Sequence, residues 1–385
     1  MSAGPRGLTN ARRTLLLAGA VLAGALALVA LSAPSGEAAF PGKPGVIAFK
    51  SFDSGDPEIY TMNSKGGNRE QLTFNEVSTG DPAMSADGKR IVYRSDVDGD
   101  YDLYLMKANG NAQHRIVDTD TDDEIDPAFA PNGKRIVFTR NDEVLSIKPD
   151  GTDERQLTTG GTDNEPQYSP IGKLVVFERN NGADQDIWLM KATGSNERSV
   201  TSTGDNDFEP TFSPDGRSLA FVRRPTLFGE GMNEIVVRKL KGGAERQLTN
   251  DDFEQDTPSF SPNGKFVLFD EDDGMGDDLL AKVKVKGAGE PKPLTSEESV
   301  DADWGPKPVK CAGRRATLVG TSGKDRLKGT SGKDVIAGLG GKDKLLGFGK
   351  KDRLCPGGGK DKVDGGGGED VCKVSAADRV KACEV

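Results

Sequence analysis

Histidine is almost missing from this sequence: His114 stands alone among 385 residues. That excludes His-rich metal centres and leaves one candidate for imidazole acid–base chemistry. There are only four cysteines, and no two form the C-x-x-C pair that clips zinc or runs dithiol exchange. Aromatic residues make up 6% and apolar residues 34% of the chain, so large helical enzyme cores are disfavoured. No Gly-x-Ser-x-Gly hydrolase elbow occurs. Beyond Leu31 no apolar run is long enough to span a bilayer.

Glycine, by contrast, is plentiful, at 50 residues. The net charge of −10 hides two segments of opposite sign. Residues 40–305 carry 30 basic and 50 acidic side chains, giving −20; residues 306–385 carry 18 and 10, giving +8. A −20 segment excludes a nucleic-acid partner.

Arg6, Arg12 and Arg13 precede an apolar run from Leu15 to Leu31, and small residues follow to Ala39. This pattern predicts a secretory signal over 1–39, with the mature chain starting at Ala39 or Phe40. The expected protein is exported, with no membrane span after cleavage, monomeric, and able to oxidise its cysteines.

A turn-plus-strand phrase then recurs six times between residues 40 and 306. Examples are Asp87-Gly88 before Ile91-Val92-Tyr93, Asn132-Gly133 before Ile136-Val137-Phe138, and Asp215-Gly216 before Leu219-Ala220-Phe221. Each Gly suits a tight turn and each apolar run a buried strand. Further phrases in each unit, such as Asp186-Ile187-Trp188-Leu189-Met190, Gln247-Leu248-Thr249 and Glu209-Pro210-Thr211-Phe212, raise the count to four strands at a period near 44. That is one propeller blade per period. The first unit lacks its Pro-bearing strand, and Asp301-Ala302-Asp303-Trp304 supplies a spare at the end, so the ring is expected to close there.

The phrases Ser213-Pro214-Asp215-Gly216 and Glu58-Ile59-Tyr60-Thr61-Met62-Asn63 resemble the WD40-like repeats of the TolB propeller family. The resemblance implies a six-bladed β-propeller over 40–306 with the Pro-bearing strand innermost. It carries no Tol-Pal role, because that family's α/β domain precedes its propeller and here the first blade starts at Phe40. The innermost position would gather Asp81, Asp126, Glu165, Glu209 and Asp301 around one mouth of a central channel. There they hold a cation or a basic peptide, or else accept hydrogen bonds from neighbouring-blade backbone and keep the blades in register. The acidic stretch Asp96–Asp102 has its Gly in the fourth place, not the sixth that an EF-hand loop requires, and reads as a turn.

After a linker at 307–319, residues 320–373 are six unbroken nonapeptides. Asp holds the sixth place of each: Asp325, Asp334, Asp343, Asp352, Asp361 and Asp370. Leu327, Ile336, Leu345, Leu354, Val363 and Cys372 hold the eighth. The pattern resembles the RTX, haemolysin-type repeat, which implies a parallel β-roll with calcium held by the six aspartates. Lys at the fifth place in five copies departs from it, and lowers affinity unless those side chains point outward. The other reading is a Gly-rich roll that binds no calcium. Cys311, Cys355, Cys372 and Cys383 lie in or beside this segment, so two disulfides are expected among three connectivities, and residues 374–385 form a cap. The whole is expected to be all-β: a six-bladed propeller followed by a parallel β-roll. The function expected is a non-enzymatic binding protein with a protein or glycan partner at the cell surface. The alternatives are a propeller hydrolase or lyase and a structural cell-wall adhesion module.

Overall fold

The computed structural model describes residues 40–384, apart from 76, 226–231, 273, 275–277, 288 and 308. The signal expected over 1–39 lies outside the described residues. Every regular element described is a β-strand, and among the described residues no helix is long and apolar enough to cross a membrane.

Residues 44–306 form six four-stranded antiparallel sheets. In the first, Pro44–Ser51, Glu58–Asn63 and Glu70–Gln71 are joined by Ser299–Pro306 from the far end of the ring. The register pairs Ile47 with Trp304 and Ala48 with Asp303. The innermost strands of successive blades lie against one another in a closed circle, Ser299–Pro306 between those of the last and second blades.

Six hydrophobic clusters lie between adjacent blades. In the one that closes the ring, Ile47, Phe49 and Trp304 pack against Leu268 and Leu280 of the last blade. The aromatic residue that ends each apolar run, as in Phe138, Phe177, Phe221 and Phe269, is fully buried. Burying each contributes about 2–3 kcal/mol.

The repeated Gly earns its place through conformation. Gly88, Gly133, Gly172, Gly216 and Gly264 adopt φ of 63–67°, which a side chain resists. Ser at the start of four of these turns accepts the N–H five residues on, as in Ser213 Oγ from Ser218 at 2.9 Å. The Thr of the Gln-Leu-Thr phrase ties the outer edge of a blade inward: Thr201 Oγ accepts the Ile187 N–H at 2.9 Å, with equivalents at Thr73, Thr158, Thr249 and Thr295.

The following segment is a parallel β-roll. Leu318–Val319, Val335–Ala337, Arg353–Cys355 and Val371–Cys372 stack on one side; Arg326–Lys328, Lys344–Leu346, Lys362–Asp364 and Arg379–Lys381 stack on the other. Its core is the single file Leu327, Ile336, Leu345, Leu354, Val363 and Cys372. So thin a core needs bracing. Disulfides Cys311–Cys355 and Cys372–Cys383 supply it, one tying the entry hairpin to the roll and the other closing the last coil. That hairpin, Lys310–Cys311 paired with Arg314–Arg315, touches the ring where Arg315 donates to the Asp87 carbonyl at 3.2 Å. A cleft of 730 Å³ lies between ring and roll, with Lys43, Lys286 and Lys307 on its ring side and Ser322 and Leu339 on the roll.

Candidate functional site

Two constructions concentrate charge in this chain. The first is the centre of the ring. Asp81, Asp126, Glu165, Glu209, Thr257 and Asp301 occupy one position in six successive innermost strands. All six are non-glycine residues with φ of 50–56°, and all sit at a β-bulge. A left-handed residue with a side chain costs about 1–2 kcal/mol, so six in register imply a common compensation. Most of it is visible as blade-to-blade hydrogen bonds. The Asp126 N–H donates to Asp81 Oδ2 at 3.4 Å, that of Glu165 to Asp126 Oδ2 at 3.4 Å, and that of Thr257 to Glu209 Oε2. Where this slot does not serve as acceptor, the next strand substitutes. Glu178 Oε2 accepts from Glu209 N–H at 3.0 Å, and Asp270 Oδ2 from Asp301 N–H at 3.0 Å.

All five carboxylates of the slot are buried, at 2% exposure or less. Around part of the ring they are neutralised: Lys50 Nζ lies 2.7 Å from Asp301, and Arg94 Nε 2.8 Å from Asp81. Burial lowers the Lys50 and Arg94 pKa values, but Asp301 and Asp81 more than offset it, so both stay firmly charged. On the remaining arc Asp126, Glu165, Glu178, Glu209 and Asp270 face one another. Burial pushes Asp126 up to about 8 and Glu178 up to about 7. Burial, then the charges of Asp126, Glu178 and Glu209, holds Glu165 well above the carboxylate range. Both Glu165 oxygens are buried and have no hydrogen-bond partner. Glu178, Asp270, Lys50 and Arg94 were not singled out from the sequence. Their signal was present in the residue directly after the buried aromatic of each repeat (Phe49, Tyr93, Phe177, Phe269).

The acidic stretch at Asp96–Asp102 is a turn, as its spacing indicated. Asp98, Asp102 and Asp118 converge there on the Arg115 guanidinium, which supplies the positive charge the cluster needs. His114 is exposed on a two-residue outer strand.

The second construction is the aspartate ladder of the roll. Backbone N–H groups of Asp325, Asp334, Asp343 and Asp352 donate to Oδ1 of the aspartates 18 residues on, Asp343, Asp352, Asp361 and Asp370, at 2.8–2.9 Å. Asp361 N–H donates to Asp378 at 2.9 Å, so one side of the ladder has a rung that the nonapeptide count omitted. The spacing there is 17, and this one-residue deletion hid it. The aspartates point inward, and Gly at the first place makes room: a Cβ on Gly338 would lie 2.7 Å from Asp343 Oδ2. Lys324, Lys333, Lys342, Lys351 and Lys360 are all exposed, so the ammonium groups do turn outward.

The Oδ2 atoms divide the loops into two kinds. Thr321 and Thr330 each give both N–H and Oγ–H to Oδ2 of Asp325 and Asp334, at 2.6 and 3.0 Å. Ser375 does the same for Asp378, at 2.7 and 2.9 Å. The other four loops have Leu339, Phe348, Gly357 and Gly366 at that place, all left-handed with φ of 69–92°. There Oδ2 of Asp343, Asp352, Asp361 and Asp370 is buried with no hydrogen-bond partner. Burial raises Asp343 to about 7 and Asp352 to about 6. Buried anionic oxygens without donors are a donor set that fits a hard divalent cation.

Ring and roll together define an all-β protein built of two kinds of repeat. Comparison with known proteins places it further. The family described as TolB beta propeller domain (PD40) matches residues 32–147 and 141–308, and the chain belongs to that family. The RTX calcium-binding nonapeptide repeat matches residues 317–347 and 357–372. Among curated relatives, a protein named Protein TolB homolog from Chlorobium luteolum is 29% identical over 116 residues, 29% of this chain and 26% of that protein. One named Tol-Pal system protein TolB from Desulfosudis oleivorans is 30% identical over 125 residues, 30% of this chain and 28% of that protein. The chain thus aligns with little more than a quarter of the length of these relatives. Among solved structures, TolB from Acinetobacter baumannii superposes with a TM-score of 0.62 at 23% identity, covering 70% of this chain and 68% of that one, a likeness of fold.

Proposed function

We propose that this is an exported, non-enzymatic binding protein whose ring receives a positively charged group of a protein or glycan partner and whose calcium-stabilised roll folds outside the cell. One observation carries the ring assignment: among the described residues, seven buried carboxylates (Asp81, Asp126, Glu165, Glu178, Glu209, Asp270, Asp301) are paired with two cations, Lys50 and Arg94. That imbalance favours a cationic group entering from outside. Membership of the propeller family and the two disulfides support the binding role and the oxidising compartment. In the roll, Asp343, Asp352, Asp361 and Asp370 would hold calcium, which supplies the charge those oxygens lack.

Glu165 gives the cleanest test, because its carboxylate makes no hydrogen bond that a substitution would break. Full-length protein and Glu165→Gln are compared in pull-downs from native cell-surface extract and in titrations with a lysine-rich peptide. Weaker recovery and weaker peptide binding by the variant are expected. Equal behaviour rejects the channel as the binding element.

A further inference from the structure

We propose that the roll is divided into metal-demanding and metal-free loops: Asp343, Asp352, Asp361 and Asp370 hold calcium, whereas Thr321, Thr330 and Ser375 lock the loops of Asp325, Asp334 and Asp378 without it. This rests on the calcium reading of the repeats and deepens it. The nonapeptide pattern by itself treats all six aspartates alike and permits about four ions in the gaps between like-sided loops.

The division follows from what satisfies each Oδ2. In the locked loops one hydroxyl and one N–H converge on it, and the same hydroxyl then accepts the N–H two residues on. Gly323 N–H donates to Thr321 Oγ and Gly332 N–H to Thr330 Oγ, both at 3.0 Å, and Ala377 N–H donates to Ser375 Oγ at 3.3 Å. A carboxylate oxygen with two donors has its charge met by protein. In the other four loops the second residue is left-handed, Oδ2 receives no hydrogen bond, and none of Leu339, Phe348, Gly357 or Gly366 has a hydroxyl to offer. Those Asp side chains are 3% exposed or less, which makes an unmatched oxygen costly.

The loops stack at intervals of 18, so Asp343 lies beside Asp361 on one side of the roll and Asp352 beside Asp370 on the other. Among the described residues only these two gaps have an unmatched oxygen on both walls. The expected stoichiometry is two ions per chain, one on each side. The locked loops lie outside them: those of Asp325 and Asp334 at the start and that of Asp378 at the end. They form calcium-independent caps on which the inner loops order when metal arrives.

The test is calcium stoichiometry on the full chain with disulfides intact, by native mass spectrometry and equilibrium dialysis, with circular dichroism to verify folding. Wild type is expected to bind two ions. Asp343→Asn and Asp352→Asn, which retain the Oδ1 acceptor, are each expected to bind one. Asp325→Asn and Asp334→Asn are expected to keep two. Loss of an ion on Asp325→Asn or Asp334→Asn, retention of both on Asp343→Asn, or four ions in wild type overturns the division and leaves the calcium reading intact. No calcium bound by wild type overturns both.

Discussion

Replacing Glu178 by Gln separates the charge of the ring from its hydrogen bonds. The Gln carbonyl still accepts the Glu209 N–H, now at 3.0 Å from Glu178 Oε2, so blade registration is kept. What is lost is a buried acid whose pKa stands at about 7, against 4.5 ordinarily. The raised value means the folded state holds the proton more tightly than the unfolded chain. Below pH 4.5 both states are protonated and Glu178 has no effect. Between 4.5 and 7 the unfolded chain ionises first and stability falls as pH rises. Above 7 the full deficit is present: about 2.5 pH units, or about 3 kcal/mol. Glu178→Gln is therefore expected to be more stable than wild type at pH 8 by up to about 3 kcal/mol, a rise in Tm of about 4 °C for a chain of this size. At pH 4.5 the two should melt together. Differential scanning calorimetry in chelator at both pH values measures this. A variant that melts lower at pH 8, or one that gains equally at both pH values, would refute the account of the ring as an electrostatically unbalanced site.

Three further outcomes are expected. Cys311→Ser with Cys355→Ser opens a loop of 44 residues and should lower the stability of the roll by about 4 kcal/mol; opening the 11-residue loop at Cys372–Cys383 should cost about 3, both read from denaturant titrations. Thr201→Val removes the acceptor of the Ile187 N–H inside the fourth blade and should cost about 1–3 kcal/mol, measured by urea unfolding. Calcium must displace protons from Asp343 and Asp352, whose pKa values burial raises to about 7 and 6, so its apparent affinity should weaken as pH falls from 7.5 to 5.5 and binding should release protons in that range; a pH-independent affinity by calorimetric titration contradicts this.

Much of the architecture was legible because it repeats. The Gly of each turn, the aromatic ending each buried run and the Pro-bearing strand recur with fixed roles, and each recurrence repeats a backbone requirement: φ near 63° at Gly88 and Gly264, φ near 52° at Asp81 and Glu209. The spare strand at Asp301–Trp304 revealed closure for the same reason. What could not be read is what does not repeat. The slot after the buried aromatic holds Lys50, Arg94, Thr139, Glu178, Val222 and Asp270 in turn, so no period exposes it, yet it decides which arc of the ring is neutral. Asp378 escaped because one deleted residue shifts the frame, which the loop absorbs while Ser375 keeps its contact. Disulfide pairing is a matter of distance in space, and sequence spacing left all three patterns open. The split between Thr-locked and open loops was written at the second place of each nonapeptide; its meaning depends on where one carboxylate oxygen finds its donors.

The pairing of residues 44–51 with 299–306 sets an order of events. The strand that completes the first blade is the last of the ring to leave the ribosome, so a nascent chain cannot circularise early. Until then Pro44–Ser51 offers a bare edge to any extended neighbour. A product truncated before Ser299 is left as an open arc, prone to join its own kind edge to edge.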